Sequence, residues 1–531
     1  MKNFKPLALS AAVVAATAGF AGAANAQAIS AGNVGDIALV PYYTVRDGMI
    51  TGVHIVNTTD ATQVVKLRFR RGLDSMDALD FNLIMSPRDE WVGFISGTNE
   101  TDMKVKTGDS TCTAPLSPNG DGVYPMPVAG NGETDIAFNE GAMEGYIEII
   151  GMAQTSDESQ AIAVAAKHSL DGKVNDNGVP VDCVGVESNF FRNAEIDAAG
   201  VITTDQNAVG VLASDLTHGE YGAAKTLRPS TYVNTPAGAL SVSYFIRNAD
   251  SGVEMGGRAV HIDEYATQPM MSNQQIIINR EYDPYGYFYP DLDGGSPQEM
   301  QRGRYVAAVR PALGVNSLIN EWSLGTADRG IDTDWVVTIP GQYLMLRLNE
   351  YLDTLIGVGN CTAGEGCDNR DIPVKATIDI LDREEDRTVI TPENPGLVIS
   401  PGTGSKDPDP VTTLPNEVNV ITWSGGTEDT ADVPGAFNSQ YRQNFALNTE
   451  GAIYGWAELS VEASTAKTQA VCDVDSLVEE DLVVRAVFDC LDLRVAEPVP
   501  MIGFTGWRRV LPDQPEAEYG RLIDHSFVVS S

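Results

Sequence analysis

Val65-Lys66-Leu67-Arg68-Phe69-Arg70 decides the fold class: apolar and basic residues alternate with a period of two, which puts Val65, Leu67 and Phe69 on one side of an extended chain and the three bases on the other. The same alternation recurs. Leu240, Val242, Tyr244 and Ile246 share one side of another run, and Ala376, Ile378 and Ile380 alternate with Lys375, Thr377 and Asp379. Read alone, each is a half-buried strand with its polar side in water. Further strand-like runs are Gly52 to Val56, Leu79 to Met85, Tyr146 to Ile150, Trp335 to Ile339, Glu417 to Trp423 and Val483 to Phe488, parted by Gly, Asp, Asn and Pro clusters. Helical periodicity over a dozen residues is scarce after the first turns of the chain. The expected fold is therefore mainly β, with two or more antiparallel β-sandwich domains (Ig-like or jelly-roll-like) joined by long loops. No blade-sized repeat points to a propeller.

The loops are Ser117 to Gly122, Asp171 to Gly178, Asp291 to Pro297 and the long Pro392 to Pro410. The expected organisation is a leader over 1–26, an N-terminal sandwich region over 27–225, and a C-terminal sandwich region over 226–531 carrying the loop near 392–410. The leader reading rests on three parts: Lys2 and Lys5 as a basic head, an apolar run from Leu7 to Gly22, and the small-x-small site Ala24-Asn25-Ala26. A mature chain beginning near Gln27 is expected to be exported to the cell surface or the medium, with the periplasm the lesser alternative. No second apolar run reaches spanning length, so the chain is not expected to be transmembrane. An outer-membrane barrel is disfavoured by uneven strand spacing and by an end, Phe527-Val528-Val529-Ser530-Ser531, without a terminal aromatic.

Charge narrows the partners. Without Lys2 and Lys5 the 35 bases fall to 33 against 73 acids, a formal charge of −40 for the mature chain. Such a balance excludes nucleic acid as an expected partner. The acids are dispersed, so they read as a solvated surface that repels copies of itself unless salt or divalent ions intervene; at about 1 M salt the screening length is only roughly 3 Å. Calcium is the candidate ion. Its oxygen-rich coordination suits loops dense in Asp and Asn, and three stand out: Asn119-Gly120-Asp121; Asn175-Asp176-Asn177-Gly178; and Asp291-Leu292-Asp293 with Glu299. None completes an EF-hand pattern, and ordinary turns use the same residues.

Six cysteines in an exported chain favour disulfides, and the sequential pairing Cys112 with Cys183, Cys361 with Cys367 and Cys472 with Cys490 keeps each bridge within one region. Zinc fails on spacing, for no C-x-x-C occurs and no histidine sits beside a cysteine in a ligand-like array. His54, His168, His218, His261 and His525 are scattered and read as structural. No G-x-S-x-G elbow or H-E-x-x-H is present. Tyr282, Tyr285, Tyr287, Phe288 and Tyr289 crowd one Pro- and Gly-containing segment; Tyr282, Tyr285, Tyr287 and Tyr289 are candidates for stacking on a glycan or a neighbouring subunit, with packing between domains as the alternative.

Several segments taken together carry a resemblance: Pro41-Tyr42-Tyr43-Thr44-Val45-Arg46, Leu79-Asp80-Phe81-Asn82 with Ser86-Pro87-Arg88-Asp89-Glu90-Trp91, Asn320-Glu321-Trp322, Thr333-Asp334-Trp335-Val336-Val337-Thr338, Asn416-Glu417-Val418-Asn419-Val420-Ile421 and Pro500-Met501-Ile502-Gly503-Phe504. The mature chain resembles a family of mostly uncharacterised exported Gram-negative proteins whose marine gammaproteobacterial members look like surface-layer (S-layer) proteins. The resemblance implies a non-enzymatic, self-assembling structural protein that meets copies of itself and the glycolipid of the outer membrane. It supplies no site residues. The rival readings are a carbohydrate-binding or adhesive surface protein and a secreted hydrolase built on two convergent carboxylates. Non-reducing peptide mapping of the secreted chain tests the sequential pairing: three bridges within regions are expected, and a peptide joining Cys361 to any cysteine but Cys367 contradicts it.

Overall fold

This computed structural model describes residues 29–126, 136–205, 232–270, 290–292, 305–342, 374–390, 411–425, 435–461 and 499–528, except for positions 31, 74, 76, 171–172, 175–177, 191, 197–201, 249, 267–268, 325–329, 384–388, 449–452 and 512. Within these residues the protein is mainly β, and its larger sheets are open and stacked face to face as sandwiches. Nine strands lead the chain: β1 (Ile37–Thr44), β2 (Met49–Asn57), β3 (Gln63–Arg71), β4 (Asp77–Met85), β5 (Glu90–Ser96), β6 (Lys104–Thr107), β7 (Cys112–Ala114), β8 (Val123–Pro125) and β9 (Glu144–Thr155). The first sheet runs Val260–Ile262, β1, β9, β3, β4, β7, and the second runs Glu254–Arg258, Leu240–Asn248, β2, β5, β6, β8. Both are antiparallel throughout.

The third and fourth sheets form the C-terminal sandwich. The third is ordered Val411–Leu414, Val374–Asp382, Tyr454–Val461, Ser317–Ser323, Ser526–Val528; the fourth is ordered Val389–Ile390, Arg442–Asn448, Val418–Gly425, Ile331–Thr338, Ile502–Arg509, Tyr519–Asp524. One pair departs from the expected antiparallel pattern, since Val418–Gly425 and Arg442–Asn448 run parallel. The expected strands at 52–56, 79–85 and 146–150 fall inside observed ones, and those at 335–339 and 417–423 overlap Ile331–Thr338 and Val418–Gly425. The one at 483–488 lies outside the described residues, as do the leader and the loop near 392–410.

The expected boundary near residue 225 does not part the two sandwiches. Leu240–Asn248 pairs with β2 along nine residues, and Val260–Ile262 pairs with β1, so the N-terminal sandwich is completed by chain from beyond that point. Its core lies between the first two sheets, where Val65, Leu67, Phe69, Phe81 and Ile149 meet Val53, Ile55, Trp91, Val242 and Tyr244. Trp322, Trp335, Ile378, Ile421, Trp423 and Leu459 fill the C-terminal core. There the Trp335 and Trp423 rings meet edge to face at 5.3 Å, and each buried indole of Trp322 and Trp335 donates to a backbone carbonyl, which removes the cost of hiding a polar N–H.

The two cores are not separate. Val336, Val420 and Phe504, on the opposite face of the fourth sheet from Trp335, pack into the N-terminal core, and Ile37, Leu39 and Ile150 on the outer face of the first sheet join the C-terminal core. β1 is consequently buried at all eight positions. Pro41 lies at its register shift, where a strand tolerates a residue without N–H, and its carbonyl accepts from Thr338 Oγ1 at 2.6 Å across the junction.

β3 corrects the half-buried reading: all nine of its residues are buried, the bases included. Lys66, Arg68 and Arg70 share the outer face of the first sheet, where the register sets them among Asp77, Asp80 and Glu148. Lys66 Nζ lies 2.6 Å from Asp80, Arg70 Nη1 3.2 Å from Asp77 and Nε 3.0 Å from Glu148, while Arg68 Nε donates to Asp77 at 3.0 Å and its Nη1 to the Pro290 carbonyl at 2.7 Å. Three cations thus meet three carboxylates out of contact with bulk solvent. Burial pushes Lys66 below its ordinary range against the pull of Asp80; burial also opposes ionisation of Asp77, but Arg68 and Arg70 outweigh it and hold that carboxyl low. Removing one partner strands the other. We predict that Lys66→Met costs about 3–5 kcal/mol in urea unfolding, whereas Lys66→Met combined with Asp80→Leu recovers most of that loss; equal losses in the single and double variants would contradict the pairing.

Candidate functional site

The junction of the sandwiches is organised by Glu144, at the start of β9 and without solvent exposure. Its carboxylate accepts from Tyr42 Oη at 2.7 Å, Arg46 Nε at 2.7 Å, Ser439 Oγ at 2.5 Å and the Gln440 amide at 2.8 Å. Four donors from both halves of the chain satisfy one buried charge, so this group is a fastener and has no lone pair to spare for chemistry. Beside it, Val418 donates to the Gly72 carbonyl at 2.8 Å, where a side chain at Gly72 would collide with Tyr441.

A second constellation sits where helices cover the first sheet. Ile162, Ala165 and Ala166 of the helix Ala161–Ala166, with Val186 of the helix Cys183–Phe190, pack on Val64, Ile84, Met152 and Ala153. The Cys112–Cys183 disulfide ties this layer to β7. Val181 and Asp182 donate to the carbonyls of Lys167 and Ala165, so the segment entering Cys183 is laced to the helix end. Just past that end, His168 meets residues from two other connections: its Nε2 is 3.0 Å from Ser110 Oγ, and its Nδ1 is 3.4 Å from Ser86 Oγ and 3.8 Å from Asp89 Oδ2. The tautomer in which Ser110 donates to Nε2 places the ring proton on Nδ1, facing Ser86 and Asp89. Asp89 is held in turn by the amides of Ser86 at 3.1 Å and Glu90 at 3.0 Å, with Thr111 Oγ1, which donates to Asp109 at 2.7 Å, lying 3.3 Å away. Burial raises its carboxyl to about 6 despite the pull of His168.

The other histidines behave differently. His261 Nε2 accepts from the Val242 amide, and His525 donates from Nε2 to the Val336 carbonyl while its Nδ1 faces the Asn320 amide nitrogen; burial lowers both to about 4. His54 lies on the surface 3.2 Å from Glu90. His218 is outside the described residues.

Of the calcium candidates, Asn119 and Asp121 lie in a turn closed by its own bonds: Asp121 Oδ1 accepts from the Val123 amide at 3.0 Å and Ser117 Oγ from the Gly122 amide at 2.8 Å. Asp291 is buried, its carbonyl accepting from Tyr265 Oη at 2.8 Å, next to the Pro290 carbonyl that receives Arg68. Asn175, Asp176, Asn177, Asp293 and Glu299 fall outside the described residues, with Tyr282, Tyr285, Tyr287, Tyr289 and with Cys361, Cys367, Cys472 and Cys490. Of the expected bridges, Cys112–Cys183 is formed. Among the described residues no three His, Cys, Asp or Glu side chains converge as a metal cage, and no helix is long and apolar enough to cross a membrane.

Ser110, His168 and Asp89 escaped sequence reasoning because they are far apart in the chain and belong to no contiguous motif. The one available signal was the Cys112 with Cys183 pairing, which brings Ser110 beside the segment that follows His168.

Burial also raises Asp36 to about 6 and Asp332 to about 7; at Asp332 the pull of Arg508 opposes burial, and Asp334 and Glu518 reinforce it. A carboxyl that ionises later in the folded state than in the unfolded chain makes the native form bind the extra proton, so its contribution to stability falls as pH rises from about 4 to about 7. His261 and His525 act with the opposite sign, and what they contribute is lost as pH falls from about 6.5 to about 4. We predict that Asp332→Asn leaves stability near pH 4 unchanged and raises it by on the order of 2 kcal/mol at pH 8, as measured by denaturant unfolding; a gain at pH 4 equal to that at pH 8 would contradict the assignment.

No protein family, no curated protein and no solved structure matches this chain.

Proposed function

We propose that this chain is an exported structural protein of the cell surface, self-associating into a layer on the outer membrane with divalent cations, calcium foremost, bridging its carboxylates to neighbouring copies and to anionic glycolipid. The observation that carries the reading is where the charge lies. Among the described residues nine Asp and Glu side chains and five Lys and Arg side chains are buried, so the described interior takes up few of the acids by which the sequence, with 73 acids against 35 bases, is in excess. An acidic surface keeps copies apart until cations bridge it.

Two features support the reading. Sandwiches fastened by Glu144 and by the β3 ionic face make a stiff unit, which is what a load-bearing tile requires. The surface-layer resemblance of the sequence segments points the same way. We predict that the purified mature chain forms ordered sheets visible by electron microscopy when calcium is added at seawater-like ionic strength and disperses to soluble folded subunits on chelation. Subunits that stay monomeric with calcium present would sink the reading.

A further inference from the structure

The corner fastened by the Cys112–Cys183 disulfide carries more chemistry than packing needs. We propose that Ser110 is a nucleophile activated by His168, and that the protein hydrolyses carboxylic esters of apolar acyl groups at this corner. The Ser110 Oγ to His168 Nε2 separation of 3.0 Å is that of a nucleophile already hydrogen-bonded to its base. Asp89 is fixed by two amides on the far side of the imidazole, where an anion orients the ring and stabilises its protonated form; its 3.8 Å gap is of the kind that tightens when a substrate fills the site. Asp89 is thus a positioning residue, with Asp109 the other acid close to it.

Exposure separates this histidine from the structural ones. His261 and His525 are 1% and 8% exposed, whereas the His168 side chain is 24% exposed and Ser110 is also open to solvent in part. Ser110 Oγ also lies 3.2 Å from the carbonyl of Gly178, which accepts the same hydroxyl proton, so that proton is divided between this carbonyl and the shorter 3.0 Å contact to His168 Nε2; Gly178 stands at φ +65° with no described atom within 4 Å of where a side chain would be. Beyond it Val179, Val181 and Val184 are 39%, 46% and 67% exposed. They are three of the nine large hydrophobic residues exposed among those described, gathered within six positions of the segment whose Gly178 and Cys183 contact Ser110. An apolar acyl chain lying on them would bring its ester carbonyl to Ser110.

The reaction closes in two steps. Ser110 Oγ attacks the carbonyl carbon as its proton passes to His168 Nε2; the tetrahedral adduct expels the alkoxide, which takes that proton and leaves as the alcohol. Water then attacks the acyl–Ser110 ester, giving a proton to Nε2; the carboxylic acid departs and the proton returns to Oγ.

The test uses the mature, disulfide-intact chain kept dispersed by chelator, so that it is independent of assembly. It combines labelling with a fluorophosphonate probe, read by peptide mass spectrometry, and hydrolysis of p-nitrophenyl butyrate. The expected result is probe on Ser110, turnover reduced at least about a hundredfold in Ser110→Ala and His168→Ala, partial rescue of His168→Ala by added imidazole, and a lower kcat at unchanged KM in Asp89→Asn. Labelling of the unsubstituted chain needs no variant to fold. Absence of probe from Ser110 in that chain, or turnover that persists undiminished in Ser110→Ala, would overturn the proposal.

Discussion

Burial of charge on β3 is the constraint around which the molecule is arranged. Lys66, Arg68 and Arg70 emerge on a face that a second sandwich covers, and three cations in an interior are tolerable only if as many anions stand within reach in a fixed register. β4 and β9 supply those anions from cross-strand positions, so a slip of either strand by one residue would turn Asp80 or Glu148 to the other face and leave a base unpaired. The apolar part of the same face, Ile37, Leu39 and Ile150, contributes the attraction, and the ionic part makes the docking selective. Glu144 repeats the logic at the other edge, with one carboxylate answered by four donors.

The period-two alternation makes the strands legible, but it reports only that two faces differ, not what covers each. Leu240–Asn248 and β3 alternate alike, yet the first shows a polar side partly in water while the second has none. The difference lies in sequence-distant partners such as Glu148 and Pro290, which no local pattern contains. The same holds for the boundary near 225. Composition marks loops, but the return of Leu240–Ile262 to the first two sheets is a matter of long-range pairing. The disulfide between Cys112 and Cys183 was within reach of sequence reasoning because six cysteines, on the expectation of export, favour bridges that stay within one region. The histidine corner was not, since its three groups come from three connections.

These features divide the labour of the molecule between inside and outside. The described interior uses its few bases to lock two sandwiches together, and under the proposed function the surface acids set how the protein meets ions, membrane and other copies. A rigid, strongly anionic body suits a layer held by cations, and the disulfide-tethered corner, one of the places where an apolar patch breaks that acidic exterior, suits a small chemical task carried on such a body.

The central claim is that buried charge and shared cores make the two sandwiches a single cooperative unit. Native-state hydrogen exchange as a function of denaturant tests it most directly, comparing amides of β3 and β9 with those of Ile331–Thr338 and Val418–Gly425. The account predicts that the slowest amides of all four strands merge into one opening event of common free energy. Two sets that open independently, one for each sandwich, would contradict it.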